Sequence, residues 1–383
     1  MKKHLEKQLM FCCATTHLDE RKTDEVRRLL GEDMDWDYIL AAPSFTSITP
    51  MLFYNLKKIA DRNTIPQPVV DKLRLRYIDV LRRNTVIYRQ LREILGELRN
   101  EGIPAILLKG VALAETVYPD IALRPMADID FMVRKADLHS VMEIFTKLGY
   151  TQAIPNEYFD EHHHLSPYRK IETKQRDYFT IEVHHNIDPV MSGINVDRLW
   201  EGAQTVSIVG VDALVLSPEN LILHLCVHLS GSCFLNGMRA LVDISQSIRY
   251  YGRSLNWHLL TKRSKEFGVC RSVYYTLCLA KETMGINIPN YALDDLKLEL
   301  KQRPLEAKLT EKIAAKNILK NWHYSSLPSR FIIFLDNSLC KALLRTSGIG
   351  NMVRSIGITW FRALDRAYHR HIKKDYKLEI TRW

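Results

Sequence analysis

The stretch Arg124-Pro-Met-Ala-Asp-Ile-Asp-Phe-Met-Val133 decides how this 383-residue chain is interpreted. Its second half alternates acidic and apolar residues, as a strand does when one face packs in a core. Because successive side chains of a strand point to opposite faces, Asp128 and Asp130 leave the same face. Ile129 and Phe131 then point into the core. Two carboxylates held side by side repel each other unless a cation lies between them, so the stretch predicts a cation site on this strand.

Two further strands are predicted around this one. Ile103–Leu108 is a short apolar run, and Tyr178–His184 places Glu182 between apolar neighbours. If the second of these lies beside the acidic strand, Glu182 completes a centre with Asp128 and Asp130. Mg²⁺ prefers carboxylates, water and substrate phosphates, and two such ions about 4 Å apart can activate an attacking oxygen and neutralise a leaving phosphate. These three acidic residues are therefore predicted to be catalytic and to bind two Mg²⁺ ions, or Mn²⁺ in their place.

A phosphate-binding turn is predicted at Lys109-Gly110, between the first strand and a helical segment at Val111–Tyr118. Glycine allows close backbone approach, and a helix N-terminus offers free N–H groups to a phosphate. Lys109 adds positive charge there, and Arg124 could hold two phosphate oxygens. His184 shares the face of Glu182, where it could orient that carboxylate, approach the nucleotide or serve as a structural histidine. Candidate nucleotide-binding residues are thus Lys109, Gly110, Arg124 and His184.

Helical periodicity on both sides of these strands predicts an α+β fold, with a small mixed β-sheet core flanked by mostly helical regions. Residues 67–101 are expected to form one long helix. Residues 154–175 are expected to be a loop, and the chain after residue 190 to be mainly helical, with a helix starting at Ser217-Pro218-Glu219. The predicted regions are 1–101 (N-terminal helical), 102–190 (core), 191–300 (helical domain) and 301–383 (a basic, mainly helical segment).

The charge of the chain is unevenly distributed. The formal net charge is +10, and residues 301–383 hold 17 basic against 6 acidic residues. Such a segment attracts the phosphates of nucleotides, nucleic acids or membrane surfaces. No apolar run approaches the roughly 18 residues that cross a bilayer, no secretory signal is recognisable, and the 7 cysteines form no CxxC pair. The sequence therefore predicts a cytoplasmic protein with no transmembrane segment.

Four motifs of the chain are Leu107-Leu-Lys-Gly110, Tyr118-Pro119, Arg124-Pro-Met-Ala-Asp-Ile-Asp130 and Ile181-Glu-Val-His184. Together they resemble the signature of the uncharacterised bacterial nucleotidyltransferase family, within the DNA polymerase β-like superfamily, over roughly the first 300 residues. The resemblance implies a mixed sheet with flanking helices, Mg²⁺ dependence, and transfer of a nucleoside monophosphate from an NTP such as ATP. The acceptor could be a small molecule, a protein or RNA. The chain departs from the superfamily pattern at the phosphate turn, where Val111 follows Gly110 in place of serine or glycine.

Two other functions remain open at this point. One is a non-catalytic protein that binds a nucleotide, and the other is an RNA-binding protein that uses residues 301–383. The histidines of His162–His164 are expected to lie in a solvated loop, and the minor alternative is that one of them contacts the substrate or supports a metal ligand. His224 and His228 are expected to serve in packing or a domain contact. Neither group supplies the three or four ligands of a zinc site.

Asp243 lies on a predicted helix, four residues after Arg239. A structural ion pair between the two is expected. The alternative is that this helix closes over the nucleotide.

Overall fold

The computed structural model describes residues 4–41, 47–60, 64–152, 164–170, 179–187, 196–231 and 237–300. Within them, a seven-stranded mixed sheet is surrounded by helices, which is the α+β class that the sequence predicts. The strands are β1 (Ile106–Leu108), β2 (Asp128–Met132), β3 (Thr151–Gln152), β4 (Tyr168–Arg169), β5 (Thr180–His184), β6 (Gln204–Ile208) and β7 (Val211–Val215). The helices are α1 (His4–Cys12), α2 (Glu20–Leu30), α3 (Trp36–Ala41), α4 (Thr49–Ile59), α5 (Gln67–Asn100), α6 (Lys109–Thr116), α7 (Leu138–Lys147), α8 (Asp197–Trp200), α9 (Pro218–Gly231), α10 (Gly237–Tyr251), α11 (Trp257–Glu266), α12 (Cys270–Met284) and α13 (Asn290–Leu300).

The acidic strand β2 lies in the middle of the sheet, whose order is β3-β4-β5-β2-β1-β7-β6. It pairs in parallel with β5 and antiparallel with β1, while β1 pairs in parallel with β7. The strand that carries Glu182 is therefore the direct neighbour of the strand that carries the acidic pair. This adjacency is what the three-carboxylate prediction required.

The two faces of the sheet pack into different hydrophobic clusters. Ile129, Phe131 and Val183 belong to a cluster with residues of α5 and α7. Leu108 and Met132 belong to another cluster, which contains residues of α9, α10 and α12. Because side chains alternate along β2, its aspartates share the face of Met132. The acidic residues thus leave the sheet on the side that α9 and α10 cover.

The sheet is larger than the sequence predicts, because a hairpin follows residue 190. Strands β6 and β7 pair antiparallel in a region that was expected to be mainly helical, so that expectation is wrong for residues 204–215. Their turn contains Val209 with a φ of 46° and Gly210 with a φ of 77°. Positive φ at both positions suits a tight hairpin, but valine is not a residue that signals such a turn. The turn is held by Glu115 of α6, whose carboxylate accepts a hydrogen bond from the Val209 amide at 3.2 Å.

The predicted loop at 154–175 also contains a short strand. Tyr168 of β4 pairs with Ile181 of β5, and the pairing partner sets the position of this two-residue strand. A strand of that length has no periodicity of its own to read. Most of the predicted loop, including His162 and His163, lies outside the described residues.

Helix predictions near the sheet are confirmed. Helix α5 runs for 34 residues, as the long periodic stretch indicated. Helix α9 starts at Pro218, and the hydroxyl of Ser217 accepts a hydrogen bond from the Asn220 amide at 3.3 Å, as an N-cap does. Across the described residues, none of the helices combines the length and the apolar character that a bilayer crossing demands. The basic segment 301–383 lies outside the described residues, and the four-region division of the chain stays a prediction.

Candidate metal and nucleotide site

The pairing of β2 with β5 brings the predicted acidic residues together. Asp130 lies opposite Glu182 in the parallel register, and Met132 lies opposite His184. Potential ligand atoms of Asp130, Glu182 and His184 all lie within 4.8 Å of one another. Asp128 is two residues earlier on the same face of β2 and is not part of that group of three. We refer to Asp128, Asp130 and Glu182 as the acidic centre.

Lys109 brings a positive charge into direct contact with the acidic centre. It follows β1, whose last residue lies opposite Asp130, and its φ of 46° is uncommon for a residue other than glycine. Its Nζ donates a hydrogen bond to Asp130 Oδ1 at 3.2 Å. His184 Nε2 lies 3.2 Å from the same oxygen and 3.7 Å from Glu182 Oε2. The Asp130 carboxylate is therefore held between an ammonium group and an imidazole.

The pKa values of these groups follow from burial and from their contacts. Burial raises the pKa of Asp130, but the charge of Lys109 and the hydrogen bond with His184 outweigh it and hold that pKa well below its usual range. Burial lowers the pKa of Lys109, but the charges of Asp130 and Glu182 outweigh it, so that pKa is raised. Burial and the neighbouring Asp130 raise the pKa of Asp128. At neutral pH, Lys109 and Asp130 therefore form an ion pair.

Arg124, which was predicted to hold phosphate, lies in a buried ion pair with Asp243 of α10. Its Nη2 is 2.9 Å from Asp243 Oδ2, its Nε donates to Oδ1 at 3.3 Å, and the Tyr118 hydroxyl donates to Oδ1 at 2.6 Å. Among the described residues, the ion-pair partner of Asp243 is thus Arg124 and not Arg239. A Cβ atom on Gly110 would lie 2.3 Å from Arg124 Nη1. Gly110 therefore leaves room for this guanidinium group.

Helix α9 places two histidines on the side of the sheet that carries the acidic centre. His224 is 1% exposed, and its ring centroid lies 6.3 Å from that of His228. Burial, and next the charge of Lys109, keep the pKa of His224 well below its usual value and lower the pKa of His228 to about 3. Neither ring nitrogen of His224 has a hydrogen-bond partner among the described residues. Their four-residue spacing is visible in the sequence, but it does not reveal that the charge of Lys109 acts on both rings.

A third histidine, His164, lies next to the same site. Its ring centroid is 5.3 Å from that of His184, and the two residues form an isolated antiparallel bridge. Its Nδ1 lies 2.7 Å from the carbonyl oxygen of Leu165. The sequence marked the histidine-rich loop as a minor candidate, and this residue is the part of it that the structure brings to the site.

The residues present fit a divalent cation. Two carboxylates and an imidazole offer ligand atoms within one coordination shell, and oxygen donors suit Mg²⁺ or Mn²⁺, while the imidazole extends the set toward transition metals. The ammonium group of Lys109 already lies 3.2 Å from Asp130 Oδ1, so a positive charge occupies this position in the fold itself. The donor set and this stand-in cation both indicate a cation site.

The structure has the mixed sheet with flanking helices that the resemblance to nucleotidyltransferases implies, and it carries carboxylates on neighbouring strands beside a strand-to-helix turn. Comparison with protein families supports this class. The family described as uncharacterised nucleotidyltransferase matches residues 32–285, which is more than half of the chain. The chain therefore belongs to this uncharacterised nucleotidyltransferase family, as its motifs predicted. No curated protein matches the chain.

Proposed function

We propose that this protein is a metal-dependent enzyme that transfers a nucleoside monophosphate from an NTP, such as ATP, to an acceptor. The observation that carries the proposal is the register of β2 and β5, which puts Asp130 opposite Glu182 and draws ligand atoms of Asp130, Glu182 and His184 within 4.8 Å. Membership of the nucleotidyltransferase family supports nucleotidyl transfer in general.

Each residue of the site has a proposed part. Asp128, Asp130 and Glu182 would hold two divalent cations, Mg²⁺ or Mn²⁺. When bound, such cations activate an attacking oxygen and neutralise the leaving phosphates. Glu182 is 27% exposed on its side chain, so an acceptor hydroxyl can approach it and give up its proton there. His184 contacts Asp130 and stands near Glu182, and so fixes the orientation of both carboxylates.

The phosphates would be bound at the start of α6. Lys109 supplies positive charge there, and the first amide groups of the helix have no partner within it. Gly110 is buried beneath this turn. Arg124 would have to leave Asp243 to reach a phosphate, so its proposed part is to support the turn and the start of β2 from below.

The proposal is tested with the full chain, α-labelled NTPs, Mg²⁺ or Mn²⁺, and cell extract as the source of acceptor. We expect transfer of label by the parent and its loss in Asp130→Asn and Glu182→Gln. Asp212→Asn, which changes an exposed aspartate of β7, is the matched control and should label as the parent does.

Thermal denaturation of the same variants, with and without cation and NTP, shows whether each is folded and binds its ligands. Labelling by Asp130→Asn equal to that by the parent would exclude the assigned site. Stabilisation by NTP and cation without any labelled product would favour a non-catalytic nucleotide-binding protein.

A further inference from the structure

We propose that Lys109 is a tethered cation that fills the cation position of the acidic centre, and that the buried imidazole of His224 accepts its ammonium group when a divalent cation binds. The inference rests on the proposed function, because it concerns the metal site of that function. It adds a residue from α9 to the site and gives Lys109 two positions.

The backbone brings Lys109 to the acidic centre. Leu108 pairs with Asp130 across β1 and β2, so the next residue along the chain emerges beside that carboxylate. The positive φ of Lys109 turns the chain into α6 at this point. Its side chain is 14% exposed, and its Nζ contacts Asp130 Oδ1 at 3.2 Å. Asp128, Asp130 and Glu182 all act electrostatically on this one ammonium group, which therefore offsets the repulsion between them.

A divalent cation and the ammonium group need the same carboxylate. Asp130 Oδ1 accepts the hydrogen bond of Lys109, and Asp130 is also a member of the potential ligand group with Glu182 and His184. A cation held by that group would lie a few ångströms from the ammonium nitrogen, in a buried place where like charges repel strongly. Lys109 must therefore leave Asp130 when the cation binds.

His224 has the chemistry to receive the displaced ammonium group. It is 1% exposed, and both of its ring nitrogens lack hydrogen-bond partners among the described residues. A neutral imidazole has one nitrogen that accepts a hydrogen bond, and a lysine ammonium group has three protons to donate. A buried polar group without a partner costs free energy, so its presence calls for an explanation. Helix α9, which carries His224, packs in one hydrophobic cluster with Leu108 and Met132, on the face of the sheet that carries the acidic centre. Among the neighbouring charges, that of Lys109 acts most strongly on His224.

The first test measures Mn²⁺ binding by the full-length protein, without nucleotide, by electron paramagnetic resonance at fixed ionic strength. Lys109→Met removes the competing cation, so we expect its dissociation constant for Mn²⁺ to fall by about tenfold or more. Lys147→Met, at an exposed lysine paired with Glu97, removes the same charge elsewhere and should leave the constant unchanged. An unchanged constant in Lys109→Met would overturn the proposal.

The second test separates the acceptor from a simple charge effect, by a double-mutant cycle. His224→Phe keeps a ring of similar shape and changes no charge in the folded protein. With Lys109 present it should weaken Mn²⁺ binding several-fold, because the displaced ammonium group loses its acceptor. In the Lys109→Met background it should have no effect. An equal loss in both backgrounds, or none in either, would overturn the role of His224.

Thermal denaturation without metal completes the test. Lys109→Met should lower the melting temperature, because the acidic centre loses its counter-ion, and Mn²⁺ should restore it. His224→Phe should melt as the parent does or higher, since it removes unpaired buried nitrogens. If the parent and all variants fail to bind Mn²⁺, the proposed metal site itself is wrong. If all of them bind it with equal affinity, the site stands and the tethered cation does not.

Discussion

Replacing Gly110 by alanine tests why a glycine occupies the strand-to-helix turn. The new Cβ atom would lie 2.3 Å from Arg124 Nη1 and 3.2 Å from Met126 Cγ. The guanidinium group would have to move by at least about 1 Å to reach an ordinary contact distance. Its planar fork is held by Asp243 at 2.9 Å and 3.3 Å, so this movement breaks the buried ion pair.

The expected magnitude follows from two opposing contributions. Breaking a buried ion pair costs about 3–5 kcal/mol. Alanine in place of glycine in a helix contributes about 1 kcal/mol of stability. Gly110→Ala should therefore lower the free energy of unfolding by about 2–4 kcal/mol, and it should do so without any nucleotide or metal.

The assay is urea unfolding followed by circular dichroism, with the slope m checked for every variant. Gly110→Ala is compared in the parent and in a background that carries both Arg124→Met and Asp243→Asn. In that background no guanidinium group lies in the way, and the substitution should be neutral or stabilise by up to about 1 kcal/mol. An equal loss in both backgrounds would refute the reasoning and point to another requirement for glycine, such as close approach of the backbone to a phosphate.

Two further substitutions test contacts around the site. Asn84→Ala should lower the free energy of unfolding in urea by about 2–4 kcal/mol, because the buried Asn84 amide donates to the carbonyl oxygens of Ile121 at 2.6 Å and Arg124 at 2.9 Å, and both would lose this partner. Thr85→Ala, on the exposed side of the same helix, is the control. A loss below about 1 kcal/mol in Asn84→Ala would contradict the prediction. The pKa of His228 is lowered to about 3, so the unfolded chain binds a proton that the folded protein does not between about pH 6.5 and pH 3, and stability should fall with falling pH in that window. His228→Phe should reduce the slope of unfolding free energy against pH by up to about 1.4 kcal/mol per pH unit. The control is a variant changed at an exposed histidine. Equal slopes for His228→Phe and this control would contradict the prediction.

The acidic centre could largely be predicted, because most of the pattern that indicates it lies within one short strand. Asp128 and Asp130 show their common face through a period of two within one strand. Glu182 required the further assumption that two strands are neighbours, and the parallel pairing of β2 and β5 confirms it. By contrast, the hairpin of β6 and β7 could not be recognised, because Val209 occupies a turn position that usually carries asparagine, aspartate or glycine.

The partners of buried charges were not predictable in the same way. Helical spacing suggested Arg239 for Asp243, since residues four apart lie on one face of a helix. The structure pairs Asp243 with Arg124, which is 119 residues away in the chain. This pairing depends on how α10 packs against the sheet, and the periodicity of neither segment predicts it. The packing of α9, which carries His224, on the sheet face of the acidic centre is hidden from the sequence for the same reason.

The charge balance of the acidic centre connects the proposed chemistry with the proposed movement of Lys109. While the ammonium group contacts Asp130, three carboxylates face one positive charge, and a divalent cation that displaces this group leaves one negative charge of the carboxylates unbalanced. A nucleoside triphosphate brings further negative charge to the start of α6, which has to be balanced at short range in a partly buried site. A second cation can supply that charge only if Lys109 gives up its place on Asp130. A two-metal reaction in this fold therefore requires a mobile Lys109, whose ammonium group leaves Asp130 when the first cation binds.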